Sequence, residues 1–306
     1  MTPEVSVVIP THNRCAMLLE AIDSVLAQST AAFELIVIDD GSTDGTSENE
    51  HLRRLAETIR IEIDRIDHRG PAAARNRGVA IARAPLVAFL DSDDLWSPTK
   101  LERQLAFMRD NPGCAISQTG EIWIRNGQRV NPAHRHRKRA GDIFIDSLRT
   151  CLIGMSAVMM RTDLFRSSGG FDEHMTAAED YDLWLRILID HEAGLLDEPL
   201  VTRRGGHPDQ LSAKTPALDR FRILTLAKLL ADDRLSPARR TSVVEVLAEK
   251  SRIYAGGLRR RGKIEEVRLY EQVADQARGW DTRAAAEIGC AIESMRSMLR
   301  EISHER

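Results

Sequence analysis

Three short apolar runs, each closed by a polar cluster and separated by stretches of helical period, constrain this 306-residue chain more than any other feature. Val5-Ser-Val-Val-Ile9 leads through Pro10 into Thr11-His12-Asn13-Arg14, and Glu34-Leu-Ile-Val-Ile-Asp39 closes on Asp40-Gly41-Ser42-Thr43-Asp44-Gly45. Leu86-Val-Ala-Phe-Leu90 is followed at once by Asp91, Asp93 and Asp94, then Trp96. Runs this short and this rich in residue types that suit a sheet read as strands buried on both faces. Helical patterns fill Met17 to Leu26, Ser47 to Thr58 and Pro71 to Ala82, with a short strand at Ile59 to Ile66. Alternation of this kind predicts an α/β fold with a mostly parallel sheet covered by helices on both faces. Such sheets bind ligands outside the carboxyl ends of their strands, where all three polar clusters fall.

The third cluster carries the sharpest chemistry. Carboxylates are rarely buried unless they are paired or bound to a metal, so a strand that delivers Asp91, Asp93 and Asp94 to its end asks for a cation. Oxygen-only ligands favour magnesium or manganese over zinc. The competing reading is an acidic turn that caps the helix beginning near Pro98. The Rossmann glycine fingerprint and the P-loop are both absent, which argues against a dinucleotide dehydrogenase and a P-loop kinase.

A net charge of -3 argues against a nucleic-acid binder driven by bulk charge. Apolar and charged contents of 42% and 29% are those of a soluble globular protein. Cys15, Cys114, Cys151 and Cys290 are scattered, without the close pairs of a zinc site, and read as reduced thiols in a cytoplasmic chain. The start of the chain lacks the basic and apolar regions of a signal peptide. No apolar stretch approaches the roughly 20 residues that span a bilayer, so any membrane association is expected to be peripheral, at the inner face.

Four motifs in order, Val5-Ser-Val-Val-Ile-Pro-Thr-His-Asn-Arg14, Ile36-Val-Ile-Asp-Asp-Gly-Ser-Thr-Asp44, Ala74-Arg-Asn-Arg-Gly78 and Phe89-Leu-Asp-Ser-Asp-Asp-Leu-Trp96, resemble the family 2 glycosyltransferases. The resemblance covers roughly residues 4 to 212. It implies the GT-A fold and an inverting transfer from a nucleotide-diphosphate sugar, with uridine diphosphate the commonest carrier, assisted by Mn2+ or Mg2+. It further implies that Pro10, Thr11 and Asn13 wall the nucleotide pocket and that Asp40 accepts from the base N–H. Arg75 takes the place of a basic residue near the donor, where a guanidinium fork suits phosphate or ribose oxygens. Asp91 is then a ribose or metal-water contact, Asp93 the direct metal ligand, and Asp94 a contributor to the acceptor side.

Ala178-Glu-Asp-Tyr-Asp-Leu-Trp-Leu-Arg186 resembles the family's Glu-Asp motif, which makes Asp180 the base that deprotonates the acceptor hydroxyl, with Glu179 beside it and Asp182 a weaker candidate. Arg203, Arg204 and His207 are expected after the last core strand, where relatives carry a basic loop. His207 would complete the metal shell or bond the diphosphate. Asp67-His-Arg-Gly-Pro71 departs from the family's commoner Asn-Gly version at His68 and Arg69. The Gln-x-x-Arg-Trp signature and membrane helices of processive synthases are missing, so the resemblance implies transfer of a single sugar to a glycan, lipid-linked or other hydroxyl acceptor in cell-surface glycan assembly.

Further along, Glu121 to Arg125 and Cys151 to Met160 read as strands. The run His134-Arg-His-Arg-Lys-Arg139 is either a solvated loop or a contact for an acceptor phosphate or an anionic membrane. After residue 212 apolar residues recur at helical spacing (Phe221, Leu224, Leu229; Val243, Val246, Leu247; Val267, Tyr270, Val273), with breaks near Ser236-Pro237, Gly256-Gly257 and Gly279. The expected organisation is a transferase domain over 1–212 and a helical region over 213–306, for which packing on that domain ranks first and dimerisation and acceptor docking stay open. Two rivals stand beside this reading. A nucleotidyltransferase acting on sugar phosphates would need a glycine-rich basic loop after its first strand, which is absent, and a non-catalytic nucleotide-sugar or glycan-binding homologue would not need the acidic residues kept here.

Overall fold

A computed structural model describes residues 2–58, 61–207, 217–277, 279 and 285–304. The chain divides into one compact unit of Met1–Ile143 with Cys151–Ala213, and a second of Phe144–Thr150 with Lys214–Arg306.

In the first unit β1 (Val5–Thr11), β2 (Phe33–Asp40), β3 (Ile61–Ile66) and β4 (Leu86–Phe89) alternate with α1 (Cys15–Leu26), α2 (Glu50–Thr58) and α3 (Pro71–Ile81). All seven residues of β1 are buried, as a strand covered on both faces requires. Helix α1 turns Leu18, Ala21, Ile22 and Val25 inward, the spacing of a single apolar stripe. Helix α3 lies on β1 through small residues, and a Cβ on Gly78 would stand 2.4 Å from Val8 Cγ1. Only glycine allows that approach. Strand β1 continues through Pro10, paired with Ile38 of β2, beyond the point where β4 has ended at Phe89 opposite Val8. Successive residues of a strand address opposite neighbours, so the missing N–H of Pro10 faces the side that no longer has a partner.

The remainder of the unit holds β5 (Leu95–Trp96), α4 (Lys100–Asp110), β6 (Ile116–Arg125), β7 (Gln128–Val130), β8 (Val158–Arg161), α6 (Thr162–Ser167), α7 (Glu179–Leu188) and β9 (Ala193–Gly205), with α5 (Phe144–Ser147) belonging to the second unit. The sheet runs β3-β2-β1-β4-β8-β6-β9-β5, with β7 hairpinned onto β6. It is parallel from β3 to β4, β8 runs antiparallel to both β4 and β6, and β9 runs parallel to β6.

Two sequence expectations are corrected here. Of the run Cys151 to Met160, only Val158 onward is strand, and Met155–Ala157 is a 3-10 turn. The turn arises because Ser156 is pulled into the acidic cluster described below. Arg203 and Arg204 do not follow the last strand; they lie within β9. The Asp197-Glu198-Pro199 interruption hid that strand, and it is absorbed by a register shift on either side of Gly120, where a Cβ would meet the Glu198 carbonyl oxygen at 2.8 Å.

Lys100 is fully buried at the start of α4, its Nζ without a hydrogen-bond partner and 3.6 Å from the centre of the Trp96 ring. Burial pushes its ammonium well below the ordinary lysine value of 10.5. The unfolded chain therefore binds the proton more readily than the folded one, and the folded state gains stability as pH rises toward 10.5. Lys100→Met, of similar length and without the charge, is expected to raise stability at pH 7 by about 1–3 kcal/mol. Thermal melts should show the difference shrinking as pH approaches that of free lysine, whereas a pH-independent difference would mean that charge burial is not its cause.

The second unit holds α8 (Asp219–Leu230), α9 (Pro237–Arg260), α10 (Ile264–Gln276) and α11 (Ala285–His304). Ser236 caps α9, its hydroxyl accepting from the Arg239 N–H at 3.3 Å, with Pro237 in the first turn. Gly256-Gly257 does not break the chain as expected; both lie inside α9, and the turn comes at Gly262, whose φ of 73° is the left-handed conformation that ends helices. Tyr254 and Tyr270 join α9 and α10 edge to face at 4.5 Å. Phe144–Thr150 groups with these helices because Arg239 stacks over Phe144 and Arg149 pairs with Glu249. Among the described residues no helix is long and apolar enough to cross a membrane.

Candidate active site

Strand β4 stops at Phe89, and the chain turns so that the Asp94 N–H donates to the Asp91 carbonyl oxygen at 2.9 Å. Ser156 locks the turn: its hydroxyl donates to Asp94 Oδ2 at 2.6 Å and accepts from the Asp91 N–H at 3.1 Å. The other Asp94 oxygen accepts from the Arg204 N–H at 2.9 Å, leaving that side chain buried. Carboxylate oxygens of Asp91, Asp93 and Asp94 lie within 4.8 Å of one another. Burial above all, and then the charges of Asp91 and Asp93, push the Asp94 carboxyl well above the usual carboxylate range. Helix α4 takes Thr99 at its N-cap position with no side-chain cap, so the acidic turn does not serve as a helix cap.

Cations surround the cluster. Arg14 Nη1 donates to Asp93 Oδ2 at 2.9 Å, and His207 Nε2 lies 2.9 Å from the same oxygen. The Arg204 guanidinium reaches the Asp93 carbonyl and Glu20. Arg75 is almost fully buried, with Nη2 bonded to Asp91 at 2.7 Å and Nη1 to Glu179 at 2.6 Å, its guanidinium 5.6 Å from the Phe171 ring centre. Each terminal nitrogen of Arg75 is bonded to one carboxylate, so the side chain ties α3, the acidic turn and α7 together, while its Nε has no partner among the described residues. Burial raises the Glu179 carboxyl, and the Arg75 charge opposes the shift.

Asp180 stands half-buried in the first turn of α7, where the helix dipole favours negative charge. Its Oδ1 accepts from the Tyr181 N–H at 2.7 Å, and Cys151 Sγ lies 3.5 Å from Oδ2. Asp182 is fully buried and bonded to Arg186 at 2.9 Å, which removes it as a candidate base. Arg203, packed 5.0 Å over the Trp123 ring, has its proton held by the charges of Glu121, Asp94, Asp91 and Asp180, although burial works the other way. The acidic turn and Asp180 therefore act on one guanidinium, and Asp91, Arg75 and Glu179 form an unbroken chain of ion pairs from the turn to the residue preceding Asp180.

At the ends of β1 and β2 the structure gives several residues an internal task. Asn13, at a left-handed φ of 52°, clamps the two loops: its Oδ1 accepts from the Thr43 N–H at 2.7 Å and its own N–H donates to Ser42 Oγ at 2.9 Å. Asp40 is buried and accepts from the N–H groups of Arg69 and Gly70 at 2.7 and 2.8 Å, with His68 Nδ1 at 2.8 Å. Both of its oxygens thus hold the Asp67 to Gly70 loop. Pro10 and Thr11 are buried in β1, and Thr11 Oγ1 has no partner. His12 and His68 stack at 4.0 Å with planes 20° apart. His12, Asp40 and His68 also bring ligand atoms within 4.8 Å of one another, but both Nδ1 atoms are turned to Asp40 and rings so nearly parallel do not aim their lone pairs at one point.

Arg14, Ser156 and Cys151 had no assigned role in the sequence. Arg14 sits in the polar cluster after β1, so a basic residue on the ligand rim was its available signal; Ser156 and Cys151, inside or beside an apolar run, offered none.

Solved structures share this architecture. Staphylococcus aureus TarS in complex with UDP-GlcNAc superposes with a TM-score of 0.71 at 18% identity, covering 100% of this chain and 93% of that one. Pyrobaculum calidifontis mannosyltransferase PcManGT, in complex with GDP-Man and Mn2+, gives 0.59 at 19% identity, covering 92% and 89%. The fold is GT-A, with its mixed sheet and a helical C-terminal region. The profile of Glycosyl transferase family 2 matches residues 6–166, and the chain belongs to that family. An uncharacterized glycosyltransferase of Rickettsia felis is 37% identical over 197 residues, 64% of this chain but 32% of that protein, so the chain spans about a third of that relative's length. The putative teichuronic acid biosynthesis glycosyltransferase TuaG of Bacillus subtilis is 33% identical over 190 residues, 61% of this chain and 72% of that one.

Proposed function

We propose that this chain is an inverting, metal-dependent transferase that moves one sugar from a nucleotide-diphosphate donor, a UDP-sugar before others, to a hydroxyl acceptor in cell-surface polysaccharide assembly at the cytoplasmic face of the membrane. The observation that carries the reading is the convergence of Asp91, Asp93 and Asp94 with Glu179 and Asp180 through the buried Arg75. Kinship with TuaG supports the polysaccharide context, and likeness to folds that bind UDP-GlcNAc and GDP-Man supports the donor class.

The acidic turn fits a hard divalent cation. It offers carboxylate oxygens within one ion's reach, and Asp94 is driven toward protonation by burial first and then by its like-charged neighbours, the second of which a cation would offset. Asp93 would hold Mn2+ or Mg2+, joined by His207, whose Nδ1 is buried without a partner. An ion bound there supplies Lewis-acid compensation for charge gathering on the departing diphosphate.

The chain's own residues do the rest. Asp180 accepts the acceptor hydroxyl proton as the oxygen bonds to the anomeric carbon, while the bond from that carbon to the diphosphate breaks on the opposite face. Glu179, pinned by Arg75, orients the first turn of α7 so that Asp180 faces the acceptor side. Arg14 and Arg204 stiffen the loop that carries Asp93. Thr11, Asn13 and Asp40 shape the nucleotide end, Asp40 through the loop it holds.

A screen of nucleotide sugars with Mn2+ or Mg2+, read as nucleoside diphosphate released with and without candidate hydroxyl acceptors, tests the reading. Acceptor-stimulated, metal-dependent release is expected from at least one donor. Release of pyrophosphate in its place, or turnover untouched by chelator, would contradict it.

A further inference from the structure

We propose that the β6–β7 hairpin and the segment after it form a docking surface for an anionic lipid bilayer, a property separate from the choice of sugar or acceptor. Charge is distributed unevenly along this chain. Between Glu121 and Asp142 it carries six cations, Arg125, Arg129, Arg135, Arg137, Lys138 and Arg139, against two carboxylates, within a protein of net charge -3. One of those carboxylates, Glu121, is neutralised inside the fold, 2.9 Å from Lys138 Nζ and bonded by Trp123 Nε1 at 2.8 Å.

The five arginines are exposed and all lie on the β6–β7 hairpin or the segment after it, Arg125 on one face of the hairpin and Arg129, paired with Ile124, on the other. Trp123 pairs with Val130 and Arg125 with Gln128 across the hairpin. The following segment is drawn back onto β6 by the Trp123–His136 ring contact at 5.4 Å and by the Lys138–Glu121 pair, which places Arg135 and Arg137 beside the hairpin. Ile122, Trp123, Ile124 and Val130 remain only half-buried among these cations. Exposed arginines suit the headgroup region of an anionic membrane, where their guanidinium groups meet lipid phosphates and their apolar stems lie toward the acyl boundary. The surface also abuts the candidate site, since Trp123 is in register with Arg203 of β9, and Ile124 with Arg204, whose N–H holds Asp94. A bilayer seated on the hairpin would bring a lipid-linked hydroxyl to the acceptor side.

The test is sedimentation of the full chain with phosphatidylcholine vesicles and with vesicles that also contain phosphatidylglycerol, no donor or acceptor being present. Binding to the anionic vesicles alone is expected at about 0.1 M salt, where charges act over about 10 Å, and release at about 1 M, where they act over about 3 Å. Each arginine near such a surface contributes about fivefold to partitioning, so the quadruple variant Arg125→Ala, Arg129→Ala, Arg135→Ala, Arg137→Ala should bind on the order of several hundredfold more weakly. Its metal-dependent donor turnover should match the wild type. Equal binding to both vesicles, absence of binding to either, or an unchanged variant would overturn the proposal, as would capture by DNA without capture by vesicles. If the variant does not fold, the wild type's lipid and salt dependence decides the question. Because no substrate enters the assay, failure here is distinct from failure of the transferase reading, which shows only in turnover.

Discussion

Asp180→Asn is expected to lower the transfer rate by about a hundredfold to ten-thousandfold, the contribution of a positioned base, while donor affinity stays at the wild-type level. The two side chains are isosteric, and Asp180 is held at its edges by the Tyr181 N–H and the Cys151 thiol. The folded state should therefore change little, losing at most the about 0.3–1 kcal/mol that a negative charge contributes at a helix N-terminus. Rapid-quench measurement of transfer, paired with calorimetric donor binding, separates the two effects. Full transfer by the variant would place the base elsewhere, and Glu179 is a poor substitute because Arg75 already occupies it.

Asp93→Ala is expected to abolish cation-dependent donor binding and to lower kcat/KM by about a thousandfold or more, the several kcal/mol that a Lewis acid contributes at a departing phosphate. In the metal-free protein the same substitution leaves Arg14 and His207 without their shared partner, yet it should flatten the dependence of stability on pH. Burial and the charges of Asp91 and Asp93 raise the Asp94 carboxyl above its ordinary 3.8, so the folded state binds that proton more tightly than the unfolded one. Stability contributed by that proton is present at acid pH and is lost as pH rises past 3.8 toward the raised value. Removing the Asp93 charge reduces that loss, so thermal melts without metal should show a variant less sensitive to rising pH, and melts with Mn2+ should show a stabilisation that only the wild type enjoys. Equal stabilisation of both proteins by Mn2+ would place the ion away from Asp93.

The parts of the fold legible in the sequence were those where one physical pattern acts alone. Runs such as Val5 to Ile9 and Leu86 to Leu90 are buried on both faces, so their apolar character is continuous, and the polar residues that end them mark the ligand rim. Asp91, Asp93 and Asp94 were visible because three carboxylates after a buried strand demand compensation. What escaped was decided by partners distant in the chain. The turn at Met155–Ala157 exists because Ser156 is drawn to Asp94 and Asp91, and no local propensity encodes that pull. Arg75 reads as a basic residue near the donor, and its ion pair with Glu179 is not visible until α7 brings that carboxylate to it. Strand β9 was obscured by Pro199, which a register shift opposite Gly120 accommodates. Gly256-Gly257 resembles a helix end, yet packing of α9 against α10 outweighs the small helical cost of glycine.

Anomalous scattering from crystals grown with Mn2+ and a nucleoside diphosphate tests the central claim most directly. The account predicts a single manganese peak about 2.1 Å from an Asp93 carboxylate oxygen, with the diphosphate on one side of it and Asp180 facing the vacant acceptor side. Nucleotide bound with no manganese at the acidic turn, or manganese seated instead between His12 and His68, would contradict it.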